Sequence, residues 1–320
     1  MTLIPAKIII GKPPTPSTTK PPGSSPLALG QSLTTEQGKA RFASLVDVFK
    51  KRDQRWGRWI TIGRGKSGKS HAAIYTLPTP ILMQVFDPDS EQLIPSEMIE
   101  KGLILPIRYY GDDPEHPIAY RNWERDVITW GNDGFFSHFA SCVIDSFSNQ
   151  IIAQLRQIAY DDQESRKFLD KDMQRKSLMP QLQDYNVLKV STITIYLALC
   201  SIPCHLVLNA HILEERLYRD AKDLIGFIRK TLNATPALQA NIPPLFSEVY
   251  LAEIREKLLD KTAKIHEWIW RTQSDMRFPD LPIGSRMSGP KRIIPDEVPQ
   301  DFRALLKRCN FHSEDKPPLV

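Results

Sequence analysis

The segment that most constrains the fold of this chain is Gly63-Arg64-Gly65-Lys66-Ser67-Gly68-Lys69-Ser70, which matches the phosphate-binding loop pattern G-x-x-x-x-G-K-[ST]. Residues 58–62 are β-branched and aromatic and predict a strand, and residues 71–75 can continue a helix. In a strand, loop and helix of this kind, glycines let backbone N–H groups close around phosphate oxygens, and the helix N-terminus favours negative charge. The sequence therefore predicts a nucleotide site lined by residues 63–70 and His71, with an ordinary glycine-rich turn as the alternative.

Two side chains of the loop carry the expected chemistry. Lys69 would reach the β- and γ-phosphates, and the Ser70 hydroxyl would hold Mg²⁺. Arg64 and Lys66 occupy variable positions of the pattern, and we expect them to be solvated rather than catalytic. ATP and Mg²⁺ are the cofactors that this arrangement predicts.

A second acid is expected because Mg²⁺ must also be held from the side opposite the loop. Asp145 follows the apolar run 139–144, which predicts a central strand, and it fits this role. The alternative is that Asp145 caps the helix that follows. Hydrolysis also needs a group that orients water, and the candidates are Asp87, Asp89 and Glu91, which follow the predicted strand 81–86.

The order of predicted elements indicates an α/β fold. Strands at 81–86, 103–109, 139–145 and 205–210 alternate with helices at 119–130, after residue 146 and at 187–200, which predicts a mostly parallel sheet with helices on both faces. Residues 246–254 and 265–271 predict an antiparallel C-terminal hairpin at the sheet edge. Residues 213–232 look like a helical insertion.

The chain ends differ in composition from this core. Residues 1–35 are rich in proline and are expected to form a disordered arm, and residues 36–55 predict an amphipathic N-terminal helix. The cations after this helix, up to Arg58, are either helix C-terminal charges or a DNA patch. Residues 56–286 would form the ATPase domain, and residues 287–320 a C-terminal tail with a short helix at 302–308.

Composition narrows the remaining possibilities. The net charge of +5 permits a nucleic-acid surface without requiring one, and no apolar run or leader pattern predicts a membrane span or secretion, so a cytoplasmic protein is expected. Cys200 and Cys204 with His205 and His211 could be read as a zinc site, but buried thiols around a strand fit the spacing better. His211 ends the predicted strand 205–210 and is either structural or a sensor of the γ-phosphate.

Several short motifs resemble one family when they are taken in order. They are Asp145-Ser146, Gln183-Asp184-Tyr185, Asn209-Ala210-His211, Phe246-Ser247-Glu248-Val249-Tyr250, Trp270-Arg271-Thr272 and Gly284-Ser285-Arg286. This order is similar to that of phage RecA-like P-loop ATPases, the AAA-domain phage nucleotide-binding proteins that include the single-strand-annealing, Sak-type recombination ATPases.

The resemblance implies a RecA-like P-loop NTPase core over residues 56–286 and ATP-dependent action on single-stranded DNA. It also implies a single-strand-binding protein as a partner, a homo-oligomer, and the sensor role for His211. For a phage protein the compartment would be the host cytoplasm. An arginine finger could come from Arg271, Arg277 or Arg286, with surface arginines as the alternative.

Three other function classes stay open from sequence. One is a DNA-translocating or packaging motor, although the chain has no convincing acidic nuclease cluster. Another is a non-catalytic assembly protein stabilised by nucleotide, and the last is a small-molecule kinase, for which no lid or acceptor-site pattern is visible. The DNA-binding residues, the oligomeric state and the choice between annealing, strand exchange and translocation are not determined by sequence.

Overall fold

The computed structural model describes residues 35–50, 56–113, 115–168, 175, 177–217, 227–258, 264–274, 279–287 and 294–320. The chain divides into two units, residues 1–55 and 56–320. In the first unit the predicted helix spans Thr35–Lys50, and the predicted arm up to residue 34 and residues 51–55 lie outside the described residues. Phe42, in the predicted apolar stripe of this helix, is exposed.

The elements of the structure are as follows. The helices are α1 Thr35–Lys50, α2 Lys69–Thr76, α3 Pro88–Glu91, α4 Ser96–Glu100, α5 Ala119–Asp133, α6 Phe147–Ser165, α7 Leu182–Leu199, α8 Pro236–Asn241 and α9 Phe302–Arg308. The strands are β1 Arg58–Gly63, β2 Ile81–Val85, β3 Ile104–Arg108, β4 Ser141–Asp145, β5 His205–Leu217, β6 Phe227–Leu232, β7 Glu248–Leu258, β8 Lys264–Arg271, β9 Gly284–Ser285 and β10 Glu297–Pro299.

The strands form one mixed sheet in the order β10-β8-β7-β1-β5-β4-β2-β3. The six strands from β7 to β3 in this order are parallel, and β8 and β10 add antiparallel strands beside β7. Strand β9 pairs with β7, and β6 pairs with the second half of β5. The predicted α/β class, the mostly parallel sheet and the antiparallel β7–β8 hairpin are confirmed.

Both faces of the sheet are buried because the strands are apolar on both sides. Ile60 and Ile62 of β1 belong to the cluster under α5, α6 and α7, whereas Trp59 belongs to a second cluster with α2 and α9. Alternation along β1 sends these side chains to opposite faces. The predicted helical stripe at 119–130 is a core element, with Trp123 fully buried.

Two predictions about organisation are wrong. The described parts of the predicted helical insertion 213–232 are strands: β5 continues to Leu217, past its pairing with β1 and β4, and pairs there with β6 as a hairpin. The predicted tail is part of the second unit, since β10 joins the sheet and Phe302 and Leu306 of α9 are buried against Trp59 and Trp270. The short helix predicted at 302–308 is confirmed.

Candidate functional site

The phosphate-binding loop connects the carboxyl end of β1 to the first residue of α2. Strand β1 ends at Gly63 and α2 begins at Lys69, so the motif has the strand, loop and helix context that the sequence predicts. Gly68 has φ +91, and a Cβ on Gly63 would lie 2.4 Å from Oγ of Ser67, which explains the two fixed glycines. No side chain caps the N-terminus of α2, so none of its first N–H groups donates to a capping side chain.

Lys69 is the buried cation of the site, with 5% of its side chain exposed. Its Nζ donates to the carbonyl oxygens of Gly63 at 3.1 Å and Arg64 at 2.9 Å. Burial lowers the pKa of Lys69 to about 8, against the opposing effect of the carboxylates of Asp145 and Asp87. A buried lysine whose ammonium bonds to oxygens of its own loop is placed to bind an anion that enters the loop.

Asp145 ends β4, and its carboxylate is buried at the same edge of the sheet. Asn209 donates to its Oδ2 at 3.1 Å, and Thr61 donates to Oδ1 of Asn209 at 2.5 Å. The three residues are cross-strand neighbours, since Asn209 pairs with Thr61 on one side and with Asp145 on the other. This polar row connects the strand that carries the loop to the strand that carries the acid, one strand apart.

Magnesium fits the donors present. Mg²⁺ prefers oxygen ligands and usually takes one or two from the protein and the rest from phosphates and water. Ser70 has its hydroxyl 3.3 Å from Oγ of Ser90, and Asn209 occupies only one carboxylate oxygen of Asp145. Ser70 and Asp145 are therefore the residues that would hold the ion. Among the residues that the structure describes, no group of three His, Cys, Asp or Glu side chains could hold a metal by itself.

Asp87 and His211 lie together beside this row. Nε2 of His211 is 3.5 Å from Oδ2 of Asp87, and the side-chain hydrogen bond from His211 lowers the pKa of Asp87. The backbone N–H of His211 donates to Ser148 at the start of α6. His211, the candidate sensor, is thus in contact with Asp87, one of the candidates for orienting water.

The other two candidates for orienting water are placed differently. Glu91 accepts from Nε of Arg108 at 2.7 and 2.8 Å and from the Tyr110 hydroxyl, and Arg108 lowers its pKa. Asp89 is exposed, and its backbone N–H donates to the side chain of Asp87, which caps α3. Of the three acids, Asp87 is the one whose charge acts on Lys69.

Arg64 and Lys66 of the loop are exposed, as predicted. Arg64 donates from Nε and Nη2 to Glu214 of β5, at 2.9 and 2.6 Å. Gly65 and Lys66 point to open surface, and the ring of His71 lies 4.5 Å from that of Tyr75 on the exposed side of α2.

Two residues at the loop were missed by sequence reasoning. A Cβ on Gly68 would lie 2.6 Å from Cδ1 of Trp268 and 2.5 Å from Oε1 of Gln300. Nε2 of Gln300 donates to the carbonyl oxygen of Ser67 at 2.9 Å. These residues follow the loop by about 200 positions or more, so no local pattern could have connected them to it.

Two of the three arginines considered as an arginine finger have other partners in the described part of the chain. Arg271 pairs with Glu253 and Glu297, Arg286 donates to the carbonyl oxygen of Pro244, and Arg277 lies outside the described residues. Among the cations for which a DNA patch was the alternative, Arg58 is turned inward and donates to backbone carbonyls.

Cys200, His205 and His211, which could be read as part of a zinc site, have other partners in the structure. Both ring nitrogens of the buried His205 are within hydrogen-bond distance of backbone groups, and Cys204 is fully buried beside it in sequence. His211 instead faces Asp87.

Comparison with known proteins adds no assignment. No protein-family model matches this chain, and no curated protein is found to be similar to it. Within the described residues, no helix is both long and apolar enough to cross a membrane.

Proposed function

We propose that this protein is an ATP-binding, Mg²⁺-dependent P-loop ATPase with a RecA-like core. The observation that carries the proposal is that the phosphate-binding loop with its buried Lys69 lies at the same edge of the sheet as the hydrogen-bonded row Thr61-Asn209-Asp145. A loop with an uncapped helix N-terminus supplies anion-binding N–H groups, and a buried lysine supplies charge. Ligands of open parallel sheets bind outside the carboxyl ends of the strands, where all these residues lie.

The residues have separate roles in this proposal. The N–H groups of residues 63–71 and the Lys69 ammonium bind and orient the triphosphate. Ser70 and Asp145 hold Mg²⁺, which neutralises charge on the phosphates when it is bound. Asp87 accepts a hydrogen bond from the attacking water, and His211, at 3.5 Å, fixes its carboxylate and senses the terminal phosphate.

The proposed substrate of the ATP-driven work is single-stranded DNA. This part rests on the order of the motifs through Asn209-Ala210-His211 and on the balance of charge, which permits a polyanionic partner. The hairpin of β5 and β6 begins directly after His211, so β5 connects the nucleotide site covalently to this hairpin. A homo-oligomer and a single-strand-binding protein belong to the same proposal.

ATP turnover with and without a single-stranded oligonucleotide tests the proposal. At low salt, where phosphate contacts are strongest, DNA should raise turnover, and ATP should change the amount of DNA that the protein retains. Lys69→Ala should lower turnover by about 10³-fold, while Lys66→Ala, in the same loop but exposed, should retain it. If the parent protein hydrolyses ATP but DNA changes neither quantity, the DNA part of the proposal is wrong. If the parent binds no ATP, the whole proposal is wrong.

A further inference from the structure

Trp268 is an exposed aromatic side chain in contact with the phosphate-binding loop. It lies on β8 with 49% of its surface exposed, and Cδ1 of its indole is next to Gly68. Directly opposite on β7 is Ile254, which is 45% exposed and on the same face of the hairpin. The ring of His266 is 6.4 Å from that of Trp268 on this face. An apolar surface thus begins where the loop ends.

Gln300 attaches this surface to the loop. Its Nε2 donates to the carbonyl oxygen of Ser67 in the loop and, at 3.1 Å, to that of Ile269 in β8. Because carbonyl oxygens surround this end of the amide, the amide orientation is fixed and Oε1 points towards Gly68. Oε1 is buried and accepts no hydrogen bond from the residues that the structure describes. The strand that carries Trp268 is therefore held in place relative to the phosphate site.

We propose that Trp268 is the base-stacking residue of the nucleotide site, with Ile254 extending the apolar surface under the base. This inference rests on the proposed function, because it requires a triphosphate in the loop. A nucleotide whose phosphates occupy the loop has its base at the rim, and a half-exposed indole at the rim offers a planar apolar face to it. Stacking accepts any base, since every base has a π-face. Trp268 then distinguishes a nucleotide from a bare polyphosphate rather than one base from another.

The test compares the dissociation constants of ATP and inorganic tripolyphosphate, both with Mg²⁺. Trp268→Ala should weaken ATP binding by about 5- to 150-fold, the loss expected for one base on one aromatic ring. Binding of tripolyphosphate should stay within about twofold, because it has no base to stack. Trp268→Phe should retain most of the ATP affinity. Tyr185→Ala, which removes an exposed aromatic ring from α7, is the matched control and should change neither constant.

Each other outcome identifies a different error. If Trp268→Ala and Trp268→Phe leave ATP binding unchanged, the inference is wrong and the proposed function stands. Equal weakening of both ligands by both variants would make Trp268 a support of the loop and would also overturn the inference. A change of oligomeric state at unchanged ATP affinity would assign the apolar surface to a subunit contact. If the parent protein binds neither ligand, the proposed function fails first.

Discussion

The two ends of the parallel strands bury polar groups in different ways. At the amino end, His205 is fully buried between the N–H of Gly57, which donates to Nδ1 at 2.9 Å, and the carbonyl oxygen of His312, 2.6 Å from Nε2. Arg58 donates to carbonyl oxygens of Gly57, Cys200, Ile202 and Cys204. The imidazole and the guanidinium are thus enclosed by backbone acceptors and donors.

The C-terminal residues close this amino end. Trp56 stacks on His312 with ring centroids 4.0 Å apart, and the ammonium of Lys316 lies 4.9 Å from the Trp56 ring. Lys316 also donates to the carbonyl oxygen of Ser137 at 2.8 Å. A ligand would have to displace these contacts to reach the polar groups beneath.

At the carboxyl end, the polar groups of the candidate nucleotide site keep hydrogen-bonding positions that described residues do not fill. Lys69 contacts carbonyls of its own loop, Asp145 accepts from Asn209 through one oxygen, and α2 has no capping side chain. Buried charge costs free energy unless it is paired, so under the proposed function a ligand completes the arrangement at this end, whereas the contacts at the amino end contribute to stability. Substitutions at the two ends should therefore separate function from folding.

The largest expected effect is at the carboxyl end. Lys69→Ala should lower ATP turnover by about 10³-fold, or about 4 kcal/mol, because it removes the charge that binds the terminal phosphates. Its thermal unfolding temperature should change little, because relief of the desolvation cost of the buried ammonium offsets the loss of its bonds to two loop carbonyls. Steady-state turnover and a melting curve measured on one preparation check both statements, with Lys66→Ala as the control. A large loss of stability with turnover retained would place Lys69 with the structural residues instead.

The next effect is at the amino end. Arg58→Ala should lower the free energy of unfolding by about 3 kcal/mol, because several buried carbonyl oxygens lose a charged donor. ATP affinity should be unchanged. Chemical denaturation and ATP titration measure the two quantities. Lys101→Ala, which breaks an exposed pair with Glu97 on α4, should change stability by less than about 1 kcal/mol. A loss of ATP affinity in folded Arg58→Ala would show that the two ends are not independent.

The phosphate-binding loop, its neighbouring strands and the acid at the end of β4 could be predicted from the sequence, because each depends on a short continuous segment. The loop motif and the apolar strands β1, β2 and β4 are continuous segments, so residue type and spacing indicate them, and Asp145 follows from its place at a strand end. The motif Asn209-Ala210-His211 was visible, but the bond from Asn209 to Asp145 depends on the register of two strands.

The rest depends on contacts that sequence patterns do not contain. The β5 extension and β6 resemble a helical insertion because their charged side chains pair with each other, as Lys230 does with Glu214, instead of alternating with a buried apolar face. Residues 294–320 look like a tail because their few apolar residues are buried against Trp59 and Trp270, far away in the chain. Gln300 and Trp268 reach the loop for the same reason.

A smaller effect, on the free energy of unfolding, should appear when the pH is lowered. Burial lowers the pKa of His205 to about 3, whereas the unfolded chain takes up this proton near pH 6.5. The unfolded state therefore binds more protons between these values, and stability is lost as pH falls, by about 2 kcal/mol at pH 5 from this residue. His205→Gln should flatten this part of the stability profile measured by denaturation. An unchanged slope in the variant would mean that His205 is not the group responsible.

The smallest effect should come from the polar row. Asn209→Ala should reduce Mg²⁺-dependent turnover by about tenfold and raise the Mg²⁺ concentration needed for half-maximal rate, since residues that orient a metal ligand act at this level. Thr61→Ser keeps the hydroxyl that orients Asn209 and should behave like the parent protein. If Asn209→Ala lowers stability but leaves the Mg²⁺ requirement unchanged, the row is structural.

The central claim is that the loop after β1 and the acid at the end of β4 form one metal–nucleotide site. Titration calorimetry of ATP with and without Mg²⁺, on the parent protein and on Asp145→Asn, tests it most directly. Asparagine keeps the shape of the side chain and removes its charge. The parent should bind ATP more tightly when Mg²⁺ is present, and the variant should bind ATP but lose this gain. An equal Mg²⁺ effect in both proteins, or no ATP binding by the parent, would contradict the account.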